Sequence, residues 1–241
     1  MRHPEREWFY AGSIDVALSS HGVEEALEAG KRVRNYRIDD VFSSPLCRAS
    51  MTAFLALSCH SDHRPVTWYR NEDDVVVRGS NGLDKSVPLI YRSVLKERSF
   101  GELEGVSSSQ QVTPTRSAAD IKRWRNSYRE AFPRGESSHD VFVRVVPFFT
   151  REVAPLLMQG RNVMIVAHGF VLRALTKFLE VMADDEFEAE MVLEKTDPER
   201  CRLLSATGVP VVYRMVDIAT QSFARIDGDR HFEGDTEVFR E

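Results

Sequence analysis

Cysteine is rare in this chain. Its 241 residues include three, Cys47, Cys59 and Cys201, at unrelated spacings. An odd and scattered set builds no disulfide framework, and it points to a reducing compartment, read here as the cytoplasm. Long apolar runs are missing as well: no stretch approaches the ~18 residues of a spanning helix, and the first residues, MRHPEREW, lack the apolar run of a signal peptide. A membrane role is therefore not expected. A basic excess is also lacking. The formal net charge is -5, the wrong sign for a general nucleic-acid binder, which must displace counterions from phosphates. Any anion this protein binds has to be held by a local cluster of cations.

What is present is a hydrophobic content of 42%, enough for one large core, so a single α/β domain over residues 1–241 is expected. Residues 20–36 place Val23, Ala26, Leu27, Gly30 and Val33 at helical spacing, with Glu24 and Glu25 early and Lys31 and Arg32 late, as the helix dipole favours. The run DVFSSPL reads as a short strand ended by Pro45, and LCRASMTAFLAL as a second helix. Residues 58–87 break the pattern and read as a charged insertion with a short strand at Val75–Val77. Beyond it come the apolar stretch PLIY, a polar loop through Pro114, a helix near 118–130 and a long helix from about Glu136 to Met158. NVMIVA is continuous enough to be a fully buried strand, FVLRALTKFLEVM is a helix and VPVVYRM a last strand. This alternation predicts βαβ units in a three-layer αβα arrangement around a mostly parallel sheet.

The strongest local signal is NVMIVAHGFVLRAL. A strand that stops at His168-Gly169 and runs straight into a helix puts an imidazole at the carboxyl edge of the sheet, where α/β proteins bind ligands. Taken alone, such a histidine is as readily a packed core residue. Its company decides. Arg2-His3-Pro4-Glu5-Arg6-Glu7-Trp8-Phe9 stands where one family has Arg-His-Gly-Glu-x-x-Trp-Asn, and Tyr10, Gly12, Asp15, Leu18, Ser19 and Gly22 meet a further pattern of it. SSPLCRA, LKERSFGELEG, WRNSY, AHGFVLRAL and TGVPVVY follow in the same order. Through these motifs nearly the whole chain resembles the histidine phosphatase superfamily, and within it the cofactor-dependent phosphoglycerate mutases.

The resemblance implies phosphoryl transfer on a small phosphorylated acid, with His3 as nucleophile and Arg2, Arg48 and His168 neutralising the transferring oxygens. It implies Glu97 as the general acid, and 2,3-bisphosphoglycerate as the priming donor with no metal. It also implies that substrate lies against Glu5, Ala11, Gly12, Arg98, Phe100, Arg125, Asn126 and Gly169. Self-association into a homo-oligomer is left open. The residue types suit this chemistry independently of the name. A neutral imidazole can attack a phosphoryl group when cations neutralise its oxygens and a proton meets the leaving oxygen, and arginine binds such oxygens with a planar fork.

Several positions depart from the family. Pro4 replaces a glycine and removes a backbone N–H; Phe9 and Phe170 each replace an asparagine; Ser108 replaces a lysine and Asn126 the second arginine of a pair. The segment between Tyr128 and Glu136 is short. A mutase has to retain a bisphosphorylated intermediate while it reorients, whereas a phosphatase needs only the phosphoryl-binding core. A phosphomonoesterase is thus the second reading, and a catalytically weak ligand-sensing or scaffold protein the third. Cys59-His60-x-x-His63, with Asp62, has metal-like spacing, but a zinc site needs three or four convergent ligands, and it ranks below the phosphoryl reading. Finally, an apolar strand precedes Arg-His in the family, centrally in the sheet, and here only Met1 does. The expectation is a sheet without that strand, with a slot and unpaired ladders inside it.

Overall fold

The structure, a computed structural model, describes residues 8–69, 86–197, 200–203, 207–217, 220 and 222–226. In chain order the elements are α1 (Ser20–Val33), β1 (Asp40–Ser43), α2 (Cys47–Ser58), β2 (Val66–Tyr69), β3 (Val87–Tyr91), α3 (Ala118–Asn126), α4 (Ser138–Phe148), α5 (Ala154–Met158), β4 (Val163–Val166), α6 (Gly169–Leu179), α7 (Asp184–Thr196), β5 (Val212–Asp217) and β6 (Ser222–Ile226). They fall into two compact units, one drawn from within 17–95, 148–167 and 205–241, the other from within 1–16, 96–147 and 168–204. No helix among the described residues is long and apolar enough to cross a membrane.

The first unit contains a parallel sheet in the order β2-β3-β1-β4. All four residues of β1 are buried, because adjacent side chains point to opposite faces and both faces are covered. Val41 joins Ala49, Ala53 and Leu57 of α2 in one apolar cluster, while Phe42 meets the ring of Phe148 edge-on at 5.2 Å on the other side. Helix, sheet and helix thus make the expected three-layer α/β architecture. The buried carboxylate of Asp40 is answered by Arg161 Nε at 2.5 Å.

α1 starts where the Ser19 hydroxyl accepts from Gly22 N at 3.1 Å, a cap that satisfies one of the helix's free N–H groups. It packs on α2 through Gly30. A Cβ at that position would lie 2.5 Å from the Ala56 carbonyl oxygen and 2.7 Å from the Ala56 Cα. That close approach explains a glycine in mid-helix, where it costs about 1 kcal/mol relative to alanine.

Several sequence expectations need correction. The helix near 118–130 stops at Asn126 because Ser127 turns extended and its hydroxyl accepts from Arg129 N and Glu130 N, both at 3.2 Å, a local alternative to the helical ladder. The helix from Glu136 to Met158 is broken into α4, a π turn at Phe149–Val153 and α5. Pro147 and Pro155 each remove a backbone N–H from that run. β4 is not fully buried: Val163, Met164 and Ile165 are half-exposed, since β4 is the outer strand of the described sheet. The expected slot is absent from the interior of that sheet, where β1 pairs directly with β3 and β4. Val66–Tyr69, within the stretch read as an insertion, is strand β2, as its β-branched and aromatic residues favour; Val75–Val77 lies outside the described residues. VPVVYRM yields β5, and an unanticipated β6 pairs with it antiparallel.

Gly30→Ala is expected to lower the unfolding free energy by about 1–3 kcal/mol through overpacking, read from the midpoint of urea denaturation. An unchanged midpoint would mean that α1 and α2 separate without loss.

Candidate active site

The second unit carries most of the residues singled out for chemistry. His168 is the N-cap residue of α6, with extended backbone (φ -128, ψ 167), and it is 8% exposed. Its carbonyl accepts from Leu172 N at 2.9 Å, which closes the first turn of α6 on the His168 backbone. Gly169 follows at the first helical position. Glu97 reaches this end of α6 from an irregular segment. Its Oε1 accepts from Phe170 N at 3.2 Å and from Arg98 N at 2.8 Å, a carboxylate at a helix N-terminus where the free N–H groups favour negative charge.

Arg98 is fully buried. Its Nη1 donates to Ser138 Oγ at 3.3 Å, while Nε and Nη2 are buried without a hydrogen-bond partner. Aromatic faces take the place of polar partners. The guanidinium carbon stands 3.6 Å from the ring centre of Phe170, 5.0 Å from that of Phe132 and 5.1 Å from that of Phe100, within the range of cation–π attraction. Burial pushes the Arg98 guanidinium down to about 9; Glu97 and Tyr10 oppose that shift, and the neighbouring positive charges of Arg173 and Arg125 add to it. At neutral pH it remains a cation. Arg173 lies 4.8 Å from the Phe170 ring and is itself paired with Glu194 Oε1 at 2.7 Å.

The Tyr10–Ser13 turn is tied to the same unit by Glu104. Its Oε1 accepts from Ser13 N at 3.2 Å and Phe100 N at 3.0 Å, and its Oε2 from the Ser13 hydroxyl at 2.6 Å. Gly12 sits under this carboxylate with φ +50, and a Cβ there would lie 2.2 Å from Glu104 Oε1, so both conformation and space require glycine. Ala11 is half-buried beside it. Phe100 stacks on Tyr10 with ring centres 4.4 Å apart. Ser108 exchanges bonds with Trp8: its N donates to Trp8 O at 2.7 Å, and its hydroxyl accepts from Trp8 N at 3.4 Å. Arg125 and Asn126 end α3, both half-buried. Asn126 lines a groove of about 410 Å³ with Lys122, Arg123, Glu188 and Val192.

In this unit the structure brings together Glu97, Arg98, Phe100, His168 and Gly169. Arg48 belongs to the other unit, half-buried in the first turn of α2, its carbonyl accepting from Thr52 Oγ1 at 2.8 Å. Arg2, His3 and Glu5 lie outside the described residues, as does Pro4. Glu104 and Phe132 were not anticipated. A carboxylate that accepts backbone bonds and an aromatic ring far away in sequence leave no periodic trace. The alternative metal reading fails on geometry. Both ring nitrogens of His60 are engaged, Nδ1 with Asp62 Oδ1 at 2.6 Å and Nε2 with Tyr36 O at 2.5 Å, and Cys59 Sγ donates to Leu27 O at 3.6 Å.

The sequence matches the model of the histidine phosphatase superfamily (branch 1) over residues 1–68 and 80–197. It is 35% identical over 223 residues to a 2,3-bisphosphoglycerate-dependent phosphoglycerate mutase of Chlamydia muridarum (strain MoPn / Nigg), covering 90% of this chain and 92% of that protein. A protein of the same name from Protochlamydia amoebophila (strain UWE25) is 34% identical over 222 residues, covering 88% and 92%. In fold, the native structure of a mycobacterial glucosyl-3-phosphoglycerate phosphatase superposes with a TM-score of 0.62 at 20% identity over 90% of each chain. The alpha-ribazole phosphatase from Shigella flexneri does so with a TM-score of 0.58 at 21% identity, over 90% of this chain and 86% of that one.

Because Arg98 buries two guanidinium nitrogens that no acceptor meets, Arg98→Met is expected to keep or raise stability, by up to the roughly 1–4 kcal/mol seen when packed apolar side chains replace buried charge. Urea denaturation reads this. A marked loss of stability would mean that the aromatic cage needs the cation.

Proposed function

The chain belongs to the histidine phosphatase superfamily, and from that membership we propose that it interconverts 2-phosphoglycerate and 3-phosphoglycerate through a phosphohistidine at His3. The observation that carries this reading is identity of about one third, along nearly the full length, to proteins named for that reaction. In the proposed mechanism a bond from a ring nitrogen of His3 to phosphorus forms as the bond from phosphorus to the ester oxygen breaks. That oxygen takes a proton from Glu97, and the Glu97 carboxylate takes one back in the return step. Arg2, Arg48 and His168 neutralise the non-bridging oxygens.

The charge around Glu97 fits a polyanionic donor. The charges of Arg173 and Arg125 both act on Arg98, and Glu97 opposes them. When bound, 2,3-bisphosphoglycerate supplies the phosphoryl group that primes His3. Arg125 and Asn126 would hold the rest of the ligand; Arg98, expected to touch it, is fully buried in its aromatic cage and acts on it only through its charge.

A phosphomonoesterase is the second reading, favoured by two specific features. Ser108 turns its hydroxyl to Trp8 N where the mutases have a lysine, and Arg98 is enclosed by Phe100, Phe132 and Phe170. Both thin the cation set beyond the transferring phosphoryl group.

Incubation with labelled 2,3-bisphosphoglycerate is expected to leave acid-labile phosphate on the protein, and His3→Ala is expected to abolish it; label retained in that variant would place the nucleophile elsewhere. With 3-phosphoglycerate and the donor, 2-phosphoglycerate is expected to form faster than phosphate is released. The reverse order would establish the phosphomonoesterase.

A further inference from the structure

A general acid has to stand within hydrogen-bond reach of the leaving oxygen, and Glu97 sits on backbone that is neither helix nor strand. The ion pair of Arg144 and Glu136 holds that backbone. Arg144 Nη2 donates to Lys96 O at 2.9 Å and to Glu97 O at 3.3 Å. The same guanidinium forks onto Glu136, Nε to Oε1 at 2.8 Å and Nη2 to Oε2 at 3.0 Å. Glu136 then closes the ring from the other side: its Oε2 accepts from Ser99 N at 2.9 Å, and its own N donates to Ser99 O at 2.8 Å. Backbone groups on both sides of Glu97 are thereby bonded to one bidentate pair, the geometry in which arginine and carboxylate bind most strongly.

The anchor is itself well fixed. Arg144 projects from α4, in which Val141 and Val145 are fully buried. The start of α4 is set by Ser137 and Asp140, with Asp140 N donating to Ser137 Oγ at 3.0 Å and Asp140 Oδ2 accepting from Ser137 N at 2.8 Å. The pair is only partly exposed, so water competes weakly for these bonds.

We propose that Glu136 and Arg144 are positioning residues that hold the Glu97 carboxyl at the N-terminus of α6 for proton delivery to the leaving oxygen. Neither touches the reacting atoms. The proposal rests on the reading of Glu97 as general acid. In the step it serves, the phosphorus–oxygen bond breaks, the electron pair stays on the oxygen, and the Glu97 proton moves to that oxygen to leave the carboxylate.

The test uses two phosphoryl donors on the full chain, with acid-labile phosphate as the readout. 2,3-Bisphosphoglycerate departs as an alkoxide that needs the proton; 4-nitrophenyl phosphate departs as a phenolate that does not. The ratio of the two phosphorylation rates is independent of the fraction of protein folded. Glu97→Gln is expected to lower that ratio strongly, and Arg144→Lys and Glu136→Gln are expected to lower it by about tenfold or more, as displacement of a catalytic group by about an ångström does. If both donors slow equally in Arg144→Lys and Glu136→Gln while Glu97→Gln lowers the ratio, the positioning role is overturned and the general acid stands. If Glu97→Gln leaves the ratio unchanged, the general acid reading falls and the positioning role with it.

Discussion

The Glu97 carboxylate accepts from two backbone amides, its neighbour Arg98 and Phe170, 73 residues further along the chain. One side-chain oxygen thus fixes an irregular segment against the first turn of α6. The rest of that unit is arranged around this bond. His168 sits at the cap immediately before it, Arg98 is turned inward beside it, and the side chain of Phe170, whose amide makes the bond, covers the guanidinium. Moving the carboxylate would disturb the acid, the cap and the cage at once.

The cage shows how a cation can be buried without an anion in contact. Born-type desolvation disfavours it, and the lowered proton affinity of Arg98 records this. Three aromatic faces and the Ser138 hydroxyl offset part of that penalty. What is left is positive potential held in a rigid, dry setting. Such a setting is useful only where negative charge arrives or develops, which is why unsatisfied polar groups gather at working sites rather than in structural cores.

Much of this was legible in the sequence. Val41, Ala49, Ala53 and Leu57 announced β1 and α2 by spacing, and the apolar run into His168-Gly169 announced a strand followed by a helix. Other features had no local signature. Phe100, Phe132 and Phe170 are scattered through the chain, and nothing in their spacing says that they meet around one arginine. The end of α3 at Asn126 turned on a single hydroxyl, that of Ser127, competing for two amides. The partial exposure of β4 depends on which strand occupies an outer position, a tertiary fact that an apolar run of VMIV cannot encode. His60 carried a metal-like spacing, yet a carbonyl and a carboxylate had already taken both of its nitrogens.

The cage also has a consequence for the order in which the unit assembles. Its walls come from residues 100, 132 and 170, so it cannot close around the guanidinium until three distant segments have met. Contacts between residues so far apart in sequence are made against a large loss of chain entropy and form late. Until then the Arg98 head group keeps its water. Its dehydration is therefore tied to the meeting of all three walls, not to any one of them.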